Sequence, residues 1–358
     1  MLPWRAALES ETRRYFGEDG DQRTRVSLPD DADEFVIRVL HRVFFGLDEA
    51  ALEEFLGGED GYRDFLRMQR GTWLFVMLPN WLLSCRLLRW LLPRSLKEVP
   101  EARARWLRKY EERVRGGGGP GGVTDRPDTL AMAVMDAMNF AGGLSVRTAI
   151  TRSLALPFSP WGHANLPGSL DLCDSASHRP YIYEVLRRWP LVEAVSYTRH
   201  ADAACGGSRP EFLNLHMAQR DPAVWGETPE HFEVRPLETY EKLSVSFAED
   251  RGPAAGKPHS HECPAKALAL AIIETFTRGV FCAPSCAKAG GFRAVWRAER
   301  APKKVVSQGQ GPTAKVAPSS TTYGQTAALL PDLGVFGPAS GKKKFDLVRI
   351  SREGSCRQ

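Results

Sequence analysis

The segment CPAKALALAIIETFTRGVF, residues 263–281, constrains the chain most. It reads as an apolar helix headed by a Cys-Pro pair, and a helix that apolar needs other elements to enclose it. Proline suits a first helical turn, because the N–H it lacks would have no intrahelical partner there. A second long apolar helix is predicted over TLAMAVMDAMNFAGGLSVRTAI, with Asp128 as its cap. Gly142-Gly143 falls inside it, at a cost of about 1 kcal/mol per glycine relative to alanine. A glycine pair in mid-helix points to close packing, a kink, or something large lying against the backbone. With 358 residues, 43% of them hydrophobic, the chain can bury both helices in one large domain or two modest ones. The expected class is mainly α with small β elements.

Helical spacing also runs through the front of the chain, from Trp4 to about Arg115. DADEFVIRVLHRVFFG carries apolar residues at helical intervals, and EARARWLRKYEERVR is charged enough to face solvent. GGGGPGG, residues 116–122, is a flexible break; with no preceding strand and no Lys-Ser or Lys-Thr pair it is not a phosphate cradle. Residues 151–178 read as loop, SHRPYIYEVLRRWP as a short helix stopped by Pro190, VEAVSYTRHA as strand, and MAQRDPAVWGETPEHFEVRP as loop-rich. Beyond Cys286 the composition turns to Gly, Pro, Ser, Thr and Lys, as expected of a disordered tail, and only KKKFDLVRI has strand character. The predicted organisation is a folded domain over residues 1–288 and a basic, mostly disordered tail over residues 289–358.

The net charge of +5 is unevenly spread: residues 289–358 hold twelve Lys and Arg against four Asp and Glu, which leaves the body at −3. Such a body offers no field for wrapping nucleic acid. Seven cysteines, odd in number and irregularly spaced, argue for a reducing compartment or a metal role rather than a secreted disulfide framework. The opening MLPWRAALESETRRYF lacks the apolar core of a signal peptide. The expected location is therefore intracellular, cytoplasmic or peripheral on an organelle membrane. Any membrane contact falls on Thr72 to Pro93, which reaches spanning length but is interrupted by Pro79, Asn80, Arg86 and Arg89. Trp73, Trp81 and Trp90 with the two arginines suit an interfacial surface better than a span, and buried helices of a soluble core are the alternative.

Two groups of residues carry chemistry. A cysteine at a helix N-terminus has its thiolate stabilised by unpaired N–H groups and the helix dipole, which makes Cys263 a candidate metal ligand. The small and polar residues before it, GKPHSHEC, would let a flat macrocycle approach. Two other readings stay open: a buried structural cysteine, and zinc held by His259, His261 and Cys263 with help from Cys282 and Cys286, although that spacing matches no standard structural zinc site. Glu184 and Arg187, three apart on one helix, can pair; alone this is an ordinary surface pair.

The order of these elements resembles the cytochrome P-450 superfamily: a long Gly-interrupted helix, a helix with Glu-x-x-Arg, a Pro-rich meander, then Cys at the head of an apolar helix. The nearest likeness is to its hydroperoxide-metabolising branch, the allene oxide synthases and hydroperoxide lyases. MNFAGG supplies Asn139, Gly142 and Gly143; Tyr183, Glu184, Leu186 and Arg187 match the next motif; Tyr197 and Arg199 follow. Asp221-Pro222 and Pro229, Glu230 and Phe232 match the meander, and Lys266 follows Cys263. The likeness runs from roughly Val36 to Phe281. It implies a P-450-like helical fold, incomplete on its N-terminal side, and heme b with Cys263 as axial iron ligand. It also implies Gly142, Gly143 and His261 at the cofactor, Asn139 as the catalytic residue, and Glu184, Arg187 and Arg235 as structural support. The sequence departs from the superfamily at the Cys loop. Gly256 falls at the usual Phe, His259 at the first Gly, His261 at the Arg and Ala265 at the last Gly; a histidine there donates more weakly than a guanidinium. The meander arginine comes one residue early, as Arg235. The implied activity is rearrangement or cleavage of a fatty-acid hydroperoxide or other lipophilic substrate. A reductase-dependent monooxygenase and a non-catalytic heme-domain fragment are the alternatives.

Overall fold

In the computed structural model, residues 3–17, 25–77, 98–118, 126–157, 165–167, 170–192, 194–199, 209–248, 262–282, 292–298 and 345–352 are described, with Ser159 and Gly162. Helices dominate: α1 (Pro3–Phe16), α2 (Asp30–Phe45), α3 (Glu49–Leu56), α4 (Gly58–Met77), α5 (Val99–Arg115), α6 (Pro127–Ala155) and α7 (Ser175–Arg188). The short α8 (Leu215–Ala218), α9 (Pro222–Trp225) and α10 (Leu237–Leu243) lead to α11 (Lys266–Phe281). The class is mainly α with few strands, as the sequence predicts.

The apolar helix α11 sits where its composition requires. Ile272, Ile273, Phe276 and Val280 are fully buried against α1 and α6. Tyr15, Phe16, Phe35 and Phe276 form a ring cluster with centroids 4.8–6.4 Å apart, an arrangement that adds to area burial alone. Gly279 allows it: a Cβ there would lie 2.6 Å from the Phe16 ring. The helix begins at Lys266, not at Cys263. Cys263 commits its own N–H to the Phe247 carbonyl at 2.9 Å, so it stands in a turn three residues ahead of the helix, and Pro264 is outside the first turn.

Helix α6 is continuous over 29 residues, with a π-helical segment from Ala137 to Leu144 at its centre. It runs five residues beyond the predicted end because Leu154 and Ala155 are buried, and Pro157 follows. The start of α7 at Ser175 removes the other edge of the predicted loop. By length and composition α6 could cross a membrane, but it packs against α2, α4, α5, α7 and α11. The predicted membrane segment lies elsewhere: Thr72–Met77 close α4, and residues 78–93 lie outside the described residues.

Strands β2 (Ala194–Arg199) and β3 (Arg209–Asn214) pair antiparallel, β2 within the predicted strand. A second antiparallel sheet has the order β1 (Arg25–Val26), β5 (Phe345–Arg352), β4 (Phe292–Ala298). β5 falls on the segment given strand character, whereas β4 lies within the expected structureless tail. FRAVWRA carries aromatic and β-branched residues between its arginines, a strand signal masked by the surrounding composition. Val26 and Ala294 both pair with Ile350, so this sheet joins the front of the chain to the segment assigned to a separate tail. The remainder of residues 289–358 lies outside the described residues.

The front helices are tied by one buried carboxylate. Glu11 on α1, fully buried, accepts from Arg14 Nε at 2.9 Å, Arg38 Nε at 3.0 Å and Arg42 Nη1 at 2.8 Å. Burial alone would raise its pKa, but the three guanidiniums outweigh that and hold it below the ordinary 4.5. With the folded pKa lowered, the stabilisation is complete above the unfolded value and is lost as pH falls through the folded one. Glu11→Gln should therefore destabilise by about 1.5–3 kcal/mol at neutral pH, the range for hydrogen bonds to charged groups. In urea unfolding the gap between variant and parent should narrow as pH is lowered towards about 3.

Candidate functional site

The centre of the site is built on α7. Asp174 caps this helix by accepting from the N–H groups of Ala176 and Ser177, and three residues on one face, Tyr183, Glu184 and Arg187, turn inward. Arg187 is fully buried and uses all five of its N–H donors. Nε and Nη2 each donate to Glu184 at 2.7 Å, Nη1 donates to the carbonyls of Gln219 (2.8 Å) and Pro229 (2.7 Å), and Nη2 donates to that of His231 (3.0 Å). Glu184 in turn accepts from the N–H of Glu233 and the hydroxyl of Tyr240, both at 2.9 Å. Arg235 Nη1 lies 3.6 Å from Glu184 Oε2. Arg187 and Arg235 both lie over the Trp225 ring, at 5.0 and 5.7 Å. The i,i+3 pair is thus a buried clamp on residues 219–240.

The clamp reaches Cys263 through two ties. Tyr240 stacks on Tyr183 (5.7 Å, 12° between planes), and its carbonyl accepts from Ser244 N–H at 2.8 Å. Ser244, Ser246 and Gln219 then form a buried side-chain cluster, which holds the turn whose Phe247 carbonyl takes the Cys263 N–H. Burial and the neighbouring Glu184 carboxylate push the Tyr240 hydroxyl well above its ordinary value, so it acts as a fixed donor.

Cys263 is half-buried and opens on a cleft of about 950 Å³ between α1, α7 and α11. Leu8, Leu270 and Ala271 give it an apolar wall; Arg5, Arg13, Arg179 and Lys266 bring positive charge, and Glu9, Glu241 and Glu262 bring negative charge. A soft sulfur donor beside an apolar wall suits heme iron and the cations suit its anionic edges, while the three carboxylates oppose those edges. The site does not fit zinc as well. Among the described residues no three His, Cys, Asp or Glu side chains gather to hold a metal. Cys263 and Cys282 flank opposite ends of the 16-residue α11, about 24 Å at 1.5 Å per residue, so they cannot share an ion. His259, His261 and Cys286 lie outside the described residues.

Asn139 and the glycine pair stand apart from this cleft, whose walls do not include them. Asn139 is 2% exposed on the π-helical segment; its Nδ2 is 4.0 Å from Met68 Sδ on α4, and its Oδ1 has no partner among the described residues. A Cβ on Gly142 would lie 2.8 Å from Leu40 Cδ1, and one on Gly143 2.3 Å from Gln69 Nε2. The expectation that these glycines open space over a cofactor is corrected: the room they leave is taken by side chains of α2 and α4. Gln69 is itself buried with neither amide atom partnered among the described residues. It lies in GYRDFLRMQRG, an ordinary charged helix in sequence, where nothing marks it. Tyr240 and Trp225 likewise carry no sequence signal, because their roles arise from contacts across tens of residues.

No protein-family model matches the sequence, and no curated protein matches it. Solved structures do resemble the fold. P450BioI, solved with an acyl carrier protein ligated to hexadec-9Z-enoic acid, gives a TM-score of 0.53 at 12% identity, over 98% of this chain and 74% of its own. An unusual cytochrome P-450-like monooxygenase, described as involved in microbial secondary metabolism, gives 0.51 at 12% identity, over 81% and 70%. The cytochrome P-450 CYP102L1 gives 0.50 at 14% identity, over 82% and 73%. The chain spans 63–74% of the length of the structures it resembles.

The clamp yields a direct test. Arg187→Ala leaves the Glu184 carboxylate and the carbonyls of Gln219, Pro229 and His231 buried without their donor, which should cost about 3–5 kcal/mol. Arg187→Lys should rescue little, since an ammonium offers three donors in place of a five-donor fork. Urea midpoints and soluble yield measure both, and a parent-like Arg187→Ala would mean that the clamp does not hold the Cys263 segment. On its helical architecture and its likeness to these solved structures, the chain has a cytochrome P-450-type fold.

Proposed function

We propose that this chain binds heme b through Cys263 as a heme-thiolate protein, and that its substrate is a fatty-acid hydroperoxide. The observation that carries the first part is the half-buried Cys263 on a cleft with an apolar wall and charges of both signs, tied by backbone to a segment clamped by Glu184 and Arg187. In this reading Cys263 holds the iron, and Arg5, Arg13 and Lys266 offer partners to the propionates. Glu184, Arg187 and Arg235 keep the Cys263 turn in place.

A thiolate-ligated heme, when bound, supplies a site that favours O–O cleavage. What the chain offers around such chemistry argues for a substrate that brings its own peroxide bond. The segment AMNFAGGL contains no acid and no hydroxyl. Asp136, just before it, is about half exposed and pairs with Arg103 at 3.5 Å, so it points away from the interior. Asn139 is uncharged, can donate and accept, and cannot deliver a proton at neutral pH. Its buried Oδ1 has no partner among the described residues, but Asn139 does not line the Cys263 cleft; its assignment to orienting the hydroperoxide rests on the family resemblance. Gln69, buried on the neighbouring helix, adds a second amide with open hydrogen-bonding capacity.

Purified protein supplemented with heme should show a thiolate-ligated absorption spectrum, and Cys263→Ala should abolish it. A sample that stays colourless would remove the cofactor assignment. The loaded protein should consume a polyunsaturated fatty-acid hydroperoxide without NADPH or a reductase. Asn139→Ala should lower that turnover by a factor of about 100, the scale of losing one preorganised donor, with the spectrum unchanged. Reductase-dependent hydroxylation, with no hydroperoxide consumption by a fully loaded sample, would instead establish a monooxygenase.

A further inference from the structure

Two cysteines outside the Cys263 cleft sit on a frame built from unlike parts of the chain. Cys173 is exposed in the turn that leads into α7; its N–H donates to Asp171 Oδ1 at 2.8 Å. Cys282 is half-buried and closes α11, its N–H donating to the Arg278 carbonyl at 2.8 Å. The Cys282 thiol points at the peptide that joins Leu172 to Cys173, with Sγ 3.7 Å from the Leu172 carbonyl oxygen.

The frame fixes this approach. His178, 1% exposed, meets the Leu172 carbonyl through Nδ1 at 2.6 Å and Thr277 Oγ1 of α11 through Nε2 at 2.8 Å. Arg278, also on α11, donates to the Cys173 carbonyl at 3.5 Å. The turn is therefore held against the end of α11 by His178, Arg278 and the Cys282 thiol, which keeps Cys173 beside Cys282, the proximity a disulfide requires.

We infer that Cys173 and Cys282 are a site of reversible oxidation, forming a disulfide that staples the turn ahead of α7 to the end of α11, with a peroxide as oxidant. The exposed Cys173 is the thiol an oxidant can reach. Its sulfur, as thiolate, attacks one oxygen of the peroxide ROOH; the O–O bond breaks, the alkoxide leaves as ROH by taking up the proton that the Cys173 thiol released on ionising, and Cys173 becomes a sulfenic acid. Cys282 sulfur then displaces the sulfenic oxygen, which departs as water with the proton that Cys282 gives up. Both thiols are oxidised by two electrons in total and the peroxide is reduced by two. Burial and the adjacent Cys173 thiol push Cys282 up to about 12, against a lowering by Arg278. It thus waits protonated as the resolving partner rather than reacting first. A thiol reductant reverses the bond by exchange, which suits a transient, sensing disulfide rather than a permanent staple.

The test uses the full chain, reduced and then treated with hydrogen peroxide, without heme. Peptide mapping without reductant should find a Cys173–Cys282 linked peptide that disappears with dithiothreitol. The oxidised protein should melt several degrees higher than the reduced one. Cys173→Ser and Cys282→Ser should each abolish both the link and the shift in Tm. A link from Cys282 to Cys286 or to any other cysteine would overturn the assignment. So would Cys173 oxidised to sulfinic acid with Cys282 still a free thiol. None of these outcomes depends on heme, so failure here and failure of the function proposed above are separable.

Discussion

The Glu184–Arg187 pair is the interaction on which the site depends. Residues 215–248 contain only three short helices, of four, four and seven residues, so much of their backbone cannot satisfy itself locally. A segment of that kind can be buried only if something else meets its carbonyls and N–H groups. Arg187 meets three carbonyls and Glu184 one N–H and one hydroxyl, while each neutralises the other. Burying such a pair adds little net stability. Its effect is geometric, because five donors in a rigid fork accept one arrangement of the surrounding chain. Through Tyr240 and the Ser244–Phe247 turn that arrangement extends to the Cys263 backbone, which neither residue touches.

A second constraint comes from α6. Its central segment is π-helical, and Leu40 and Gln69 stand where side chains at Gly142 and Gly143 would project. The glycines therefore serve close approach of three helices. Widening the helix there also changes the direction of the neighbouring side chains, and π-helical turns often mark functional positions. Asn139 lies in this segment with a buried oxygen that has no partner among the described residues, like other buried polar atoms such as those of Gln69, at a cost of about 1–3 kcal/mol each.

Fold and chemistry rest on different observations. The fold as a whole gives the likeness to cytochrome P-450 structures, but at 12–14% identity a shared fold carries many activities. The proposed chemistry rests on the half-buried thiol, the walls of its cleft and the absence of an acid or hydroxyl from AMNFAGGL. The cysteines divide in the same way. Cys263 stands in the turn ahead of α11 beside a cleft, while Cys282, at the far end of that helix, points at the peptide before Cys173.

Periodicity and spacing in the sequence determined the helical class, an apolar helix within 263–281, the capacity of Glu184 and Arg187 to share one face, and the nearness of Cys263 to the start of that helix, which the structure moves to Lys266. These are local properties, readable within one or two helical turns. The tertiary structure decided the rest. Glu184-x-x-Arg187 could have been a solvated surface pair; it is buried because residues 219–240 wrap it. Gly142-Gly143 could have made room for a ligand; Leu40 and Gln69, about 100 and 70 residues earlier in the chain, occupy that room. Phe292–Ala298 became a strand because Phe345–Arg352 pairs with it, and Cys173 met Cys282 because His178 fastens its turn to α11. In each case the deciding partner is distant in sequence, and local propensity carries no information about which distant groups burial will bring into contact.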